Sequence, residues 1–177
     1  DYGVGVVNDS KYGHYVRDGV MELTLLRSPK DPDPQADIGS HEFTFGYYPH
    51  GGGWGESDLL ERAHELNAPV LVRGSSRPAG RVSEFDVDGG VVKIEAVKPA
   101  EDGEGVILRL YETRGTDHEA VLRFRRPVSS VEEVSLVEES PRKLRGLRRS
   151  PEDGYESELR LTFSPYRIRT LRLTYGA

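Results

Sequence analysis

From residue 70 onward the sequence is a succession of short apolar runs separated by turn formers. The runs are Val70 to Val72, Phe85 to Val87, Val91 to Val97, Val106 to Tyr111, His118 to Phe124, Val131 to Val137, Ser157 to Phe163 and Ile168 to Tyr175. Val92, Ile94 and Ala96 alternate with Lys93 and Glu95, the two-residue period of a strand with one buried face. Arg167 to Leu173 repeats the alternation, which predicts solvated positions for Arg167, Arg169 and Arg172. Asp88-Gly89-Gly90, Asp102-Gly103 and Arg114-Gly115 supply turns. About seven short strands with no intervening helical period leave an antiparallel β-sandwich as the natural solution.

The first third is less regular. Val4 to Val7 and Val20 to Leu26 read as strands, the second entered through a hairpin turn at Asp18-Gly19. His41 to Tyr48 alternates polar and aromatic residues. Between the last two, Ser28-Pro29-Lys30-Asp31-Pro32-Asp33-Pro34 forbids both helix and central strand, so an extended loop is expected. The sole helix signal covers about residues 58–66. Asp58 and Glu61 fit a capping box, Leu59, Ala63 and Leu66 share a face, and Asn67 with Pro69 ends it. Gly51-Gly52-Gly53-Trp54-Gly55 precedes it and carries the single tryptophan. This part has too little apolar material for a core of its own. The chain is therefore expected to be all-β. Residues 1–67 would form the end of a larger β-domain with a linker helix, and 68–177 a C-terminal sandwich.

Composition removes several classes. A net charge of −6 argues against a nucleic-acid binder. The basic run Arg142 to Arg149 lies between acidic stretches without aromatics and reads as a solvated loop. Absence of cysteine excludes disulfides and thiolate chemistry. No apolar stretch reaches 18 residues, so no membrane helix is expected. Asp1 opens directly into a strand pattern, as though the chain were cut from a longer protein.

Catalytic motifs fail one by one. Gly3-x-Gly5 lacks the third glycine and the helix of a dinucleotide fingerprint, and the Gly51 loop lacks a phosphate loop's ending. Asp31-x-Asp33 resembles a calcium loop, but Gln35 and Ala36 stand where an oxygen ligand and a glycine are needed. The histidines at 14, 41, 50, 64 and 118 show no metal-binding spacing, and no nucleophile elbow exists. No catalytic residue, metal ligand or cofactor is assigned within the chain. A dense polar set remains: Asn8-Asp9-Ser10-Lys11-Tyr12-Gly13, then Arg27, Asp31, Asp33 and Asp37, then His41-Glu42. Such a mixture suits sugar hydroxyls, each needing a donor and an acceptor. It equally suits a network that holds turns.

Three of these blocks resemble the C-terminal region of family 38 α-mannosidases. They are Gly5-Val6-Val7-Asn8-Asp9-Ser10-Lys11-Tyr12-Gly13, Leu23-Thr24-Leu25-Leu26-Arg27-Ser28-Pro29 with Asp31-Pro32-Asp33, and Asp37-x-Gly39-x-His41-Glu42-Phe43-Thr44-Phe45. The likeness continues through Leu66-Asn67-Ala68-Pro69, Val97-Lys98-Pro99-Ala100-Glu101-Asp102, Leu108-Arg109-Leu110-Tyr111-Glu112 and Leu161-Thr162-Phe163-Ser164-Pro165-Tyr166. It is nearest the cysteine-poor cytosolic and bacterial branch, which implies a cytoplasmic protein. The resemblance implies a parent enzyme that hydrolyses terminal α-mannosides with retention, using a zinc ion and a carboxylate nucleophile placed upstream. The chain would then hold the last strands of a galactose-mutarotase-like sandwich followed by the terminal sandwich. Its partners would be the N-terminal catalytic and helical domains and a mannoside. By the same resemblance, Arg27, Asp31 and Asp33 are the first candidates to reach the mannose site, with Asn8, Asp9, Lys11 and Tyr12 lining the same cleft. Arg109 and Glu112 are candidates for a domain-interface ion pair. An independent carbohydrate-binding module and an oligomerisation module are the competing functions.

Overall fold

In a computed structural model the described residues are 1–72, 74 and 82–176. They fall into two compact units, Asp1–Ser76 and Arg77–Ala177.

The first unit is built of two antiparallel ribbons and a helix. β1 (Tyr2–Asn8) pairs with β4 (Phe45–Gly51), and β2 (His14–Arg17) with β3 (Val20–Leu23). The predicted Asp18-Gly19 turn is present, with φ of 51° and 77°, the left-handed pair that a two-residue hairpin needs. The strand before it, β2, has no periodic signature of its own. Helix α1 (Leu59–Asn67) lies against β1. A Cβ on Gly5 would stand 2.3 Å from Leu59 Cδ1, so glycine is what lets the helix approach. The capping box does not form. Asp58 makes no side-chain cap bond. Its carboxylate instead takes the Tyr48 hydroxyl at 2.6 Å and Arg62 Nε at 3.1 Å, while Ser57 Oγ accepts the Leu59 N–H at 3.3 Å. Among the described residues of this unit Gly5 alone is buried, and Tyr2, Val16, Leu26 and Tyr47 stand exposed.

The second unit is a β-sandwich. Its strands are β5 (Phe85–Val87), β6 (Val92–Pro99), β7 (Val106–Glu112), β8 (His118–Phe124), β9 (Val128–Val134), β10 (Arg142–Lys143), β11 (Arg148–Arg149), β12 (Ser157–Phe163) and β13 (Ile168–Tyr175). One sheet has the order β10-β9-β13-β7-β6 and the other β11-β12-β8-β5, antiparallel throughout. Leu108, Leu110, Leu171 and Leu173 from the first sheet and Leu122, Phe124, Leu159 and Phe163 from the second share one buried core. No described helix is long and apolar enough to cross a membrane.

Four expectations are corrected here. Val70 to Val72 form no strand and are exposed, because three β-branched or leucine residues after Pro69 have no neighbouring strand to join. The strand expected at residues 131–137 runs three residues earlier, since Ser135, Glu138 and Glu139 close a turn on one another. The basic run is not all loop. Arg142-Lys143 and Arg148-Arg149 are edge strands, with Arg142 on Glu133 and Arg148 reaching Glu158 Oε1 at 2.5 and 2.8 Å. Finally, Arg169 points inward and is 9% exposed. Its guanidinium grips both oxygens of Glu133 at 2.8 and 2.9 Å and donates to the Thr162 carbonyl at 3.1 Å, which makes a buried arginine tolerable.

Glu112 is 1% exposed at the end of β7. It accepts the N–H groups of Arg114, Gly115 and Tyr166 at 2.7 to 2.8 Å, tying two loops together. Burial pushes its carboxyl up, but those amides and Thr116 outweigh burial and hold it below the ordinary glutamate value. The folded value is the lower one, so this contribution is complete above the ordinary glutamate range. It is lost as pH falls through the lowered folded value. Glu112→Gln turns an amide N–H toward those donors and is expected to cost about 2–4 kcal/mol, seen as a lower urea midpoint at pH 7. Its stability should also fall less steeply than the parent's on acidification. An unchanged midpoint would show that the carboxylate does not hold these loops.

Candidate functional site

β1 ends at Asn8, opposite Phe45 of β4, and the chain leaves the ribbon into a tight polar turn. Asn8 Oδ1 accepts the N–H groups of Ser10 at 3.2 Å and Lys11 at 2.5 Å, the self-capping habit of asparagine at a turn. Asp9 closes the other side. Its N–H donates to the Thr44 carbonyl at 3.1 Å, its Oδ2 takes the Thr44 N–H at 2.9 Å, and its Oδ1 takes Ser10 Oγ at 2.9 Å. Burial raises the Asp9 carboxyl, yet the bonds from Ser10 and Thr44 prevail and hold it below the usual aspartate value. Thr24 N–H donates to the Gly13 carbonyl at 2.8 Å. The 8–13 turn is thereby held to both ends of the 24–44 segment, at Thr24 and at Thr44.

The proline segment between them folds back on itself. Asp33 Oδ1 caps Gln35 N–H at 2.9 Å, and Asp37 Oδ2 takes the Ser28 N–H at 2.8 Å, closing a loop over residues 28–37. Ser28 and Asp37 both sit in the left-handed region, at φ 44° and 62°. His41 Nε2 lies 2.9 Å from the Asp37 carbonyl oxygen.

The structure ties the 8–13 turn to Thr24 and Thr44, closes the 28–37 loop on itself, and divides the candidate residues by task. Asn8, Asp9 and Asp33 are committed to backbone amides. Lys11 places its ammonium 4.4 Å from the centre of the Phe43 ring. Tyr12 is 93% exposed, and Arg27 and Asp31 are exposed and make no hydrogen bond or ion pair with described residues. These three project from a frame that other side chains hold. Sequence reasoning did not separate frame from presented groups, since an aspartate serving a backbone amide and one awaiting a ligand have the same letter. Trp54 is 45% exposed and has a partner within its own surroundings.

In the second unit Arg109 donates to Thr170 Oγ1 at 3.3 Å and to the Leu136 carbonyl at 3.0 Å, on the face of β7 opposite Leu108 and Leu110. Glu112 faces the loops described above, so the two do not pair with each other. Among the described residues no three His, Asp or Glu side chains converge in a way that could hold a metal ion.

The loop closure is directly testable. Asp37→Ala removes the acceptor for the Ser28 amide. Hydrogen exchange at Ser28 should then quicken by about tenfold or more, as expected for loss of a charge-assisted bond. Unchanged exchange would mean that the loop is held by something else.

Comparison with known proteins finds matches in both units. Residues 1–35 match the model of the glycosyl hydrolases family 38 C-terminal domain, and 91–171 that of the family 38 C-terminal beta sandwich domain. Alpha-mannosidase 2C1 of Mus musculus is 36% identical over 98% of this chain and 17% of its own length. The Homo sapiens protein of the same name is 36% identical over 97% of this chain and 16% of its own. Alpha-mannosidase of Saccharomyces cerevisiae is 28% identical over 98% and 17%. The chain therefore spans about a sixth of the length of these relatives. In sequence, in order of motifs and in its antiparallel sandwich, it belongs to the C-terminal β-region of the family 38 α-mannosidases.

Proposed function

We propose that this chain is the C-terminal β-region of a larger zinc-dependent enzyme that removes terminal α-mannosides with retention. Within it the chain holds the catalytic part in place and offers secondary contacts to the substrate. The observation that carries the second role is the division of labour in the first unit. Asp37, Asp9 and Asn8 hold the 8–13 turn and the 28–37 loop, leaving Arg27, Asp31 and Tyr12 unspent and exposed.

Retaining hydrolysis needs one carboxyl to attack the anomeric carbon and a second to protonate the departing oxygen. No residue of this chain is assigned either task. Among the described residues no cluster of acids and histidines fits zinc, whose ligands on this reading lie upstream of the chain. What these residues do is bind and orient. A guanidinium donates a planar fork to neighbouring hydroxyls, an aspartate accepts from hydroxyls, and a tyrosine adds a flat apolar face with a polar tip. Held on a braced loop, they present these groups without the ordering cost that a free loop would bear. Arg109, on the outer face of β7, remains our candidate for contact with the N-terminal catalytic and helical domains. A cytoplasmic site of action belongs to the same proposal, on the likeness to the cysteine-poor branch.

The test is kinetic and uses the natural polypeptide that carries this region, with 4-nitrophenyl α-mannoside as substrate. Arg27→Ala and Asp31→Asn are each expected to lower kcat/KM by roughly 10- to 100-fold, mostly through KM, the size of a hydrogen bond to a charged group. Tyr12→Phe keeps the ring and should change little. Wild-type kcat/KM in both charge variants would overturn the contact role.

A further inference from the structure

At one end of the second unit the two sheets part around a polar cleft of about 640 Å3. It opens where β8 begins at His118, β12 ends at Phe163 and β13 begins beside Arg167. The Glu133–Arg169 pair lines it, with the Arg169 guanidinium 5.6 Å from the centre of the buried Phe163 ring. We propose that this cleft is a saccharide-binding site for a neutral, hydroxyl-rich ligand, which on the reading above is a mannoside.

Three features lead there. First, the charges in the lining balance: Asp117, Glu119 and Glu133 against Arg142, Arg167 and Arg169. A balanced cleft gives no net field to draw in a phosphate or a polyanion, yet offers both acceptors and donors, as vicinal hydroxyls require. Second, the lining has capacity to spare. The side chains of Asp117, His118 and Arg167 make no hydrogen bond or ion pair with described residues, and Arg169 spends three of its five N–H groups. Third, the site is preorganised. Arg169 is locked by both oxygens of Glu133 and by the Thr162 carbonyl, so its remaining donors are fixed in direction before any ligand arrives. The volume accommodates a mono- or disaccharide. The lining exposes no aromatic face for stacking, so millimolar affinity is expected.

The inference rests on the mannoside reading but fails separately from it. The experiment is a titration of the 177-residue chain with α-mannobiose, cellobiose and inorganic phosphate, followed by amide chemical shifts. The titration is repeated on Arg167→Ala and Asp117→Asn, two exposed residues whose loss leaves the core intact. Expected are shifts clustered at Asp117, His118, Ser164 and Arg167 with α-mannobiose, and binding weakened at least fivefold in each variant. Cellobiose binding in place of α-mannobiose, lost in the same variants, would uphold the cleft and overturn the mannoside reading instead. No saccharide binding up to 100 mM overturns the proposal, as does binding that both variants retain, or shifts produced by phosphate alone.

Discussion

Carboxylates bonded to backbone amides hold many of the described bends. Asp9 takes Thr44, Asp33 takes Gln35, Asp37 takes Ser28, Asp88 takes Val121, Asp102 takes Glu104, Glu138 takes Glu101, and Glu112 takes three amides at once. Such bonds are charge-assisted and worth more than neutral ones. They explain how a protein so rich in loops and glycine keeps fixed turns without disulfides. They also explain part of the excess of acidic residues: many are structural acceptors, not unused charge.

The same chemistry continues across strands. On the outer face of the four-stranded sheet, Asp86, Arg123, Glu158 and Arg148 follow one another in register over β5, β8, β12 and β11. Asp86 bonds Arg123 and Glu158 bonds Arg148. Directly opposed unlike charges are favourable cross-strand neighbours, and a sequence of alternating sign selects this register over a slipped one. The short edge strands β10 and β11 thus join their sheets through arginine on glutamate rather than through apolar packing.

Most of the fold was legible because burial leaves a period. β8, β12 and β13 run over the residues that the alternation marks, and the Asp18-Gly19 hairpin has the backbone its dipeptide demands. What was not legible depends on partners far along the chain. A two-residue strand such as Arg148-Arg149 carries no period, and its cause, Glu158, lies ten residues on. Arg169 looked solvated because nothing local reveals that Glu133 waits for it. β6 shows the limit from the other side. A register shift between Ile94 and Ala96 turns the later residues over, so Ala96, which the alternation puts on the face of Ile94, stands instead opposite Arg109 on the outer face. In the candidate site the residue types were legible, but their division into Asp9 and Asp37 as braces and Arg27 and Asp31 as presented groups required the hydrogen bonds.

On the proposed reading these loops support and orient a reaction whose bond-breaking groups lie elsewhere in the natural polypeptide. The most direct measurement compares nitrophenol release from 4-nitrophenyl α-mannoside, with zinc supplied, by the 177-residue chain and by the whole polypeptide that carries it. The account predicts turnover by the whole polypeptide and none by the short chain. Turnover by the short chain alone would contradict it and would make Asp9, Asp31, Asp33 and Glu42 the acids to test.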